Sequence, residues 1–407
     1  MYRLYYLIPF IFLPFLENIN DIYNRVVYYQ PREYFTLLLS VLVLLFLVIN
    51  KQIKFRKKDI SLYTFLLILL IGQVYTIDKF YGMRTIIGCI IFLITSYYFS
   101  SIKNKKEIYY MLFTIGVIQA IIGITQKIGF YYKIIPVKEL TDRAKIIGTI
   151  GHVNQFSHFL SIIFISSLVL FLFERNQFKK NILFVGEVII FQTILFTKTR
   201  ASLLALIIAF IVLLFVGKKL IKYKNNKKQF LILIFIFTIQ IFFNYSSFEK
   251  RVKNSNNFKT GSVAERVDIW KKALLMISEK PILGSGTGSF FEHEIKYMNN
   301  IERYIRQNPK ILKEEKLKLK KDYKIIGHTH NEYLQFYVEN GMFAFLLIIG
   351  IVCKIIYDFV KISKLKKLIS FLPILVIIII SCFSFPLHMI HNLILVAIYL
   401  GLEMENN

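Results

Sequence analysis

The sequence has very little cysteine, and its long apolar runs carry almost no charge. The three cysteines, Cys89, Cys353 and Cys382, all lie in apolar segments. They therefore predict neither a disulfide framework nor a zinc site. The sequence also lacks a P-loop for nucleotide phosphates and any recognisable metal-ligand motif. We accordingly expect a protein that works without a metal ion or another cofactor.

The sequence is rich in long hydrophobic runs. Hydrophobic residues make up 56% of the 407, and apolar runs of about 17 residues or more recur along the chain. About 20 helical residues cross a lipid core, inside which the backbone must satisfy its own hydrogen bonds. The longer runs lack the alternation of a membrane β-barrel, so we predict an all-α, polytopic membrane protein of about twelve transmembrane helices. The predicted segments are 4–16, 34–50, 60–77, 83–100, 108–130, 156–174, 182–197, 201–217, 229–245, 333–353, 368–385 and 388–403.

Positive charge is in large excess, with 52 Lys and Arg against 25 Asp and Glu, a formal net charge of +27. In a soluble protein this excess would suggest nucleic acid, but no nucleic-acid-binding motif is present and we expect no such partner. Alternate loops have 5, 3, 3, 6 and 5 Lys or Arg, whereas the short loops between them have 2, 1, 4 and 2. The positive-inside rule places both termini in the cytoplasm and the basic loops against anionic membrane lipids. The basic loops are 51–58, 101–107, 175–180, 218–228 and 354–367.

One large polar segment, residues 246–332, separates the ninth and tenth predicted helices and is predicted to face away from the cytoplasm. It lies between membrane helices in residues 1–245 and further membrane helices in residues 333–407. Its charged stretch 292–324 predicts one or two surface helices, which we expect to meet an acceptor or anionic head groups. An apolar stripe at spacings of 4, 3, 4 and 3 predicts another helix in this loop. The stripe consists of Val263, Val267, Trp270, Leu274 and Ile277.

Two groups of polar residues are expected at the outer ends of membrane helices. Asn154 precedes the sixth helix, where free backbone N–H groups can bind an anion; a simple turn and helix cap is the alternative. Lys198 and Arg200 form a tight hairpin between two apolar runs, and snorkelling to lipid head groups is the alternative there. Arg200 stands at the positive end of a helix dipole, which favours a role with an anion. Arg84 is isolated, so snorkelling is the better interpretation for it.

Two further groups belong to the large loop. Arg266 and Trp270 are four residues apart and share one side of the predicted helix, although an ordinary amphipathic surface helix is the alternative. His328, His330 and Asn331 open the tenth helix, and histidine is the side chain best suited to move a proton near neutral pH. The two histidines are two residues apart, so they do not share a helical face and a metal pair is not favoured. Helix capping is the alternative for this group.

Taken together, these motifs resemble the O-antigen ligase and O-antigen polymerase superfamily. The shared pattern is a hairpin arginine, an R-x-x-x-W helix leading to P-x-x-G-x-G, and H-x-H-N-x-Y-L at the start of a membrane helix. The stretch GTIGHVNQFSHFLS and Phe385-Pro386 before the last helix are also similar to the family. The resemblance spans one domain over about residues 84–403 and is strongest over 148–345.

The resemblance implies a glycosyltransferase-C-like helical fold in the bacterial inner membrane, with the large loop in the periplasm. It implies that the donor is a glycan linked to undecaprenyl pyrophosphate. A ligase transfers this glycan to the lipid A–core or another acceptor in lipopolysaccharide or other polysaccharide biosynthesis, and a polymerase transfers it to another carrier-linked repeat. By resemblance, the catalytic residues are His330, Arg266 and Arg200. The substrate-binding candidates are Lys198, Asn154, His328, Asn331, Trp270 and Arg84.

The chemistry of these side chains agrees with that resemblance. Arginine binds phosphate oxygens through a planar, permanently charged fork, and it would stabilise a departing pyrophosphate. A hydroxyl acceptor needs a base such as His330, and one direct displacement would invert the anomeric carbon without a metal. We favour ligase over polymerase. The alternatives from other classes are a transporter or flippase of lipid-linked anionic cargo and a non-catalytic scaffold.

Overall fold

The computed structural model describes residues 38, 40–45, 59–102, 104–129, 146–220, 227–255, 262–293, 327–360 and 367–403. The first predicted segment lies outside these ranges, as does most of the second. Most of the charged stretch 292–324 also lies outside them. The prediction of surface helices in that stretch is therefore not tested.

The described chain is helical and contains no strand. Each of the ten predicted apolar segments from 60–77 onward is a helix, and the stripe in the large loop is a helix as well. The helices are α1 (Ile60–Tyr75), α2 (Lys79–Ser100), α3 (Lys105–Lys127), α4 (Val153–Phe173), α5 (Gln177–Thr197), α6 (Arg200–Leu220), α7 (Lys227–Ser255), α8 (Ser262–Glu279), α9 (Glu332–Val360), α10 (Leu368–Ser381) and α11 (Ile390–Glu403).

Several helix ends differ from the predicted segments; α7 continues ten residues beyond 245 to Ser255, and α9 seven residues beyond 353 to Val360. Helix α2 starts at Lys79 because the Asp78 carboxylate accepts a hydrogen bond of 2.9 Å from the Tyr81 backbone N–H and caps the helix. Helix α10 ends at Ser381, and a short 3-10 turn, Pro386–His388, separates it from α11. The predicted segment 368–385 is thus a helix followed by a turn.

Six of the described helices are long and apolar enough to cross a membrane, and α1, the part Arg200–Val216 of α6, α10 and α11 are shorter apolar helices. This architecture fits a polytopic membrane protein. The count of twelve spans and the sidedness of the loops stay predictions.

Helix α4 is the centre of the bundle. It is apolar nearly all round and almost all of its residues are buried, as expected for a helix surrounded by others. Helices α3, α5, α6, α10 and α11 pack around it. The exposed apolar side chains lie on outer helices such as α7 and the second half of α9, the faces that a bilayer would cover.

Helix α9 is broken at Gly341, which has a φ of 74°. The Val338 carbonyl oxygen would accept from Met342 in a regular helix, but here it accepts from the Ser285 N–H at 2.8 Å. The Met342 N–H donates instead to the Pro281 carbonyl oxygen at 3.0 Å. The turn that follows α8 therefore supplies the backbone hydrogen bonds that the break removes. This exchange fixes the position of the large loop against α9.

Candidate active site

His330 lies in the turn that leads into α9, with its backbone in the left-handed region at a φ of 53°. A non-glycine residue in this conformation is strained and needs support from its surroundings. Asn331 provides part of that support, because its Oδ1 accepts a hydrogen bond of 3.0 Å from the Leu334 N–H and so caps α9. The capping interpretation thus holds for Asn331, whose side-chain oxygen accepts a hydrogen bond from the first turn of α9.

Helix α8 holds the same turn from the other side. The Trp270 indole N–H donates to the Thr329 carbonyl oxygen at 2.9 Å, one residue before His330. Arg266 lies one helical turn earlier on α8, on the side that the four-residue spacing predicts. The tryptophan therefore joins the arginine-bearing helix to the histidine-bearing turn.

Positive charges converge on His330. Burial, together with the charges of Arg266 and His152, lowers the pKa of His330 to about 4. Burial also lowers the pKa of Arg266, and the neighbouring charge of Arg200 lowers it further, against a smaller opposing effect of Glu265. The charge of Arg200 on α6 therefore acts on Arg266 of α8, and the charge of Arg266 acts on His330 in the turn before α9. Such a site favours a neutral imidazole and a bound anion.

The hairpin between α5 and α6 forms the second wall. Arg200 is the first residue of α6, as predicted, and Lys198 ends α5 with its backbone at a left-handed φ of 51°. The Thr199 hydroxyl donates to Asn154 Oδ1 at 3.4 Å, so the hairpin meets the N-terminus of α4. At that terminus His152 Nδ1 accepts from the Asn154 N–H at 3.2 Å. Lys198, Asn154 and Arg200 are therefore neighbours in space.

Two glutamines hold the turn before α4. Gln126 donates from Nε2 to the Gly148 carbonyl oxygen at 2.7 Å, and its Oε1 accepts from the Gly148 N–H at 2.8 Å. Gln119 donates to the Thr149 hydroxyl at 2.7 Å in the same turn. Both glutamines lie on α3, so this helix fixes the loop that brings His152 toward His330.

His328 lies deeper than His330. Its ring stacks on Phe385 with centroids 4.1 Å apart, and the edge of the same phenylalanine meets the His330 ring at 5.1 Å. Burial and the charge of His388 hold the pKa of His328 well below its usual value. His328 is therefore a neutral, packed ring beneath His330.

Arg84 lies on α2 and is part of the same site. Its guanidinium is 5.9 Å from the centroid of the Tyr81 ring, and its charge interacts with His328 and His388. The structure thus places Arg84 beside two of the site histidines, although the sequence alone favoured snorkelling for it.

Four polar residues of this region were not among the predicted site residues. They are Glu332, Gln335, Glu339 and His388, all of them half-buried or buried. Glu339 accepts a hydrogen bond of 3.0 Å from the Gly288 N–H, which joins α9 to the glycine-rich turn after α8, residues 284–288. The signal in the sequence was a carboxylate at the start of the apolar run 333–353, Glu332, and another inside it, Glu339, which is costly unless each is paired.

The described residues contain no group of three or more His, Cys, Asp or Glu side chains arranged to hold a metal ion. An apolar cleft of about 560 Å³ lies between α1, α9 and the turn after α8. Tyr75, Leu283, Asn340 and Phe343 are among the residues that line it. Asn340 is the most polar of these residues, and its Oδ1 accepts a hydrogen bond of 2.6 Å from the Thr287 hydroxyl.

The sequence profile of the O-antigen ligase family matches residues 185–349. This range contains the α5–α6 hairpin, α8 and the His330 turn. A protein of Haemophilus influenzae (strain ATCC 51907 / DSM 11121 / KW20 / Rd), described as uncharacterized, is 26% identical over 208 residues. The aligned part is 48% of this chain and 47% of that protein, so the chain spans about half the length of the relative that it matches.

Proposed function

We propose that this chain transfers a glycan from a polyprenyl-pyrophosphate carrier to an acceptor hydroxyl. The match over residues 185–349 places the chain in the O-antigen ligase superfamily. The family match confirms the resemblance read from the motifs and supports a ligase- or polymerase-type glycosyltransferase. We place the reaction on the outer face of the bacterial inner membrane, with undecaprenyl pyrophosphate as the carrier and lipid A–core or another glycan as the acceptor.

The observation that carries this proposal is the hydrogen bond of 2.9 Å from the Trp270 indole to the Thr329 carbonyl oxygen, which joins the helix of Arg266 to the turn of His330. His330, with its pKa lowered to about 4, is unprotonated at neutral pH and can accept a proton. In the proposed step the acceptor oxygen attacks the anomeric carbon while the His330 imidazole takes the hydroxyl proton. The bond from that carbon to the pyrophosphate oxygen breaks, and its electron pair leaves with the pyrophosphate. One displacement of this kind inverts the anomeric carbon.

The arginines serve the leaving group. Arg200 and Arg266 repel each other, so their proximity is costly until an anion lies between them. A pyrophosphate gains negative charge as the glycosidic bond breaks, and preplaced guanidinium groups stabilise that charge. This arrangement supplies electrostatic stabilisation from the side chains themselves, and the proposed mechanism has no step that uses a metal.

The carrier tail is assigned to the apolar cleft. The cleft is lined mainly by apolar residues of α1 and α9. A polyprenyl chain in this cleft would remain in contact with lipid while its pyrophosphate reaches the arginines. The apolar lining thus supports a lipid-linked donor over a water-soluble one.

Genetic complementation tests the proposal. A knockout strain of the source bacterium receives the parent chain, His330→Ala, Arg266→Ala or Lys271→Ala, and surface glycan is resolved by gel. Lys271 is an exposed cation on the same helix as Arg266 and pairs with Asp268 at 3.9 Å, so it is the matched control. We expect the first two variants to lose mature glycan and the control to retain it.

Normal glycan in both His330→Ala and Arg266→Ala would refute the catalytic assignment. The same gel separates the two reaction types. Loss of capped core with long carrier-linked chains retained indicates a ligase, whereas loss of chain length alone indicates a polymerase.

A further inference from the structure

A buried polar network lies directly behind His330 and has no place in the chemistry described above. Its members are Glu332, Gln335 and Glu339 on α9, His328 before α9, and His388 in the turn between α10 and α11. Buried polar networks are stable only when their members are fully hydrogen-bonded, and they then hold one geometry.

The Glu332 carboxylate holds the turn between α10 and α11. One oxygen accepts from the Leu387 N–H at 2.6 Å, and the other lies 2.8 Å from His388 Nδ1. Glu332 is thereby joined to two adjacent residues more than fifty positions away in the chain. The carboxylate orients the His388 ring and places Nδ1 as the donor to it.

Gln335 carries this orientation toward His328. Its Oε1 accepts from the Thr329 N–H at 3.3 Å, which fixes the amide with Nε2 as the donor. Nε2 has two protons, and it lies 3.2 Å from Glu339 Oε1, 3.1 Å from His328 Nδ1 and 3.4 Å from His388 Nε2. A protonated His388 cannot accept at Nε2, so its 3.4 Å contact with Gln335 Nε2 brings two donors together and is not a hydrogen bond. The second proton of the Gln335 amide therefore goes to His328. His328 then accepts at Nδ1 and is neutral.

Phe385 connects the network to His330. It lies three residues before His388, in the same short connection between α10 and α11. Its ring stacks on His328 and meets the His330 ring edge-on. The position of this connection, held by Glu332, therefore determines the surface on which the His330 ring rests.

We propose that Glu332 and His388 form a buried ion pair that positions the His330 imidazole through Gln335, His328 and Phe385. The proposal rests on the proposed function of His330 and makes Glu332 and His388 positioning residues. They touch neither the donor nor the acceptor, and they act by holding the base in its strained, reactive geometry.

The charges around His388 decide when the pair exists. Glu332 and Glu339 face it from α9, His328 from the turn before α9, and Arg84 from α2. Burial alone would lower the pKa of His388, but the two carboxylates outweigh burial and raise it above the usual histidine value. The two carboxylates therefore favour the protonated ring, which loses its proton as the pH rises. The proposal predicts that transfer declines on the alkaline side as the ion pair is lost.

The test uses the full chain in lipid nanodiscs with the polyprenyl-pyrophosphate-linked glycan isolated from the source bacterium. Glu332→Gln keeps a hydrogen-bond acceptor for Leu387 and removes the charge, and His388→Gln removes the ring. We expect each variant to lower kcat about tenfold with little change in the donor KM. The double variant should also lose about tenfold, because both changes break one unit. In Glu332→Gln the alkaline limb of kcat should move to lower pH.

His391→Gln is the matched control, since His391 is also buried, lies three residues after His388 and packs against Phe159 of α4. Its pH profile should match the parent. Should Glu332→Gln fail to fold, Gln335→Met interrupts the network one step closer to His330, and it should lower kcat by a similar factor.

A second measurement does not depend on activity. Histidine-selective 15N NMR in the nanodisc, assigned with His388→Gln, should show one imidazolium that persists above pH 7 in the parent and becomes neutral in Glu332→Gln. Unchanged kcat and pH profiles in the two single variants would overturn the proposal, and so would a neutral His388 in the parent. If the parent catalyses no transfer, the proposed function fails, whereas the NMR result still decides whether the ion pair exists.

Discussion

His330 and His388 lie on either side of His328, yet their surroundings shift their pKa values in opposite directions. His330 faces Arg266 and His152, and its pKa falls to about 4. His388 faces Glu332 and Glu339, and its pKa rises. Two histidines with pKa values driven apart are the usual sign of different roles in one site. The cationic half of the site, Arg200, Arg266 and His152, favours a bound anion. The carboxylate half, Glu332 and Glu339, holds His388.

The largest expected effect separates the two histidines by function. His330→Ala should lower the rate of transfer by about 10²–10⁴-fold, the usual contribution of a general base. His388→Gln should cost only about tenfold, because the base remains and is merely less well held. Single-turnover transfer in nanodiscs measures both. Equal losses in the two variants would contradict the division of roles.

The next effect concerns the cationic half. Arg266→Ala should lower kcat by about 10²–10³-fold, since it removes a preplaced donor to the developing charge. Arg266→Lys should recover only part of this loss, because an ammonium lacks the planar fork that binds two phosphate oxygens. The comparison of kcat among the parent and both variants measures the recovery. Full activity of the lysine variant would show that point charge alone is sufficient.

The smallest effect tests the contact between α8 and the His330 turn. Trp270→Phe keeps the aromatic ring but removes the 2.9 Å hydrogen bond to the Thr329 carbonyl oxygen. The loss of one such bond is worth about 1 kcal/mol, or roughly a fivefold fall in kcat. Transfer rate and thermal unfolding should be measured together. A fall in unfolding temperature without any change in kcat would assign Trp270 to stability alone.

The helices and the cationic half of the site could be predicted from the sequence because their signals are local. Apolar length defines the membrane helices, and the spacing of Arg266 and Trp270 places both on one side of α8. Arg200 at a helix start is equally local. The motifs of the His330 turn carried the resemblance to the O-antigen ligase family, and the family match confirms that resemblance.

The carboxylate half could not be predicted, because its contacts join residues that are distant in the chain. Glu332 meets Leu387 and His388, and Glu339 meets Gly288, across about fifty residues in each case. The spacing of apolar and polar residues along the chain does not indicate which distant residues will meet. The break at Gly341 was also hidden, since a helix interrupted by one glycine has the same apolar pattern as a continuous one. Only the three-dimensional structure shows that the glycine-rich turn supplies the missing hydrogen bonds.

The central claim is that His330 acts as a neutral base beside a bound pyrophosphate, and the pH dependence of transfer tests it most directly. Because the neutral form is active, kcat/KM should fall only as the pH drops toward about 4, the pKa of His330 in the free protein. The acid limb of kcat should lie at higher pH, since the bound pyrophosphate raises the pKa of the histidine. In Arg266→Ala the limb of kcat/KM should also move upward. An acid limb near the ordinary histidine value of about 6.5 in every case, unmoved by substrate or by Arg266→Ala, would contradict the account.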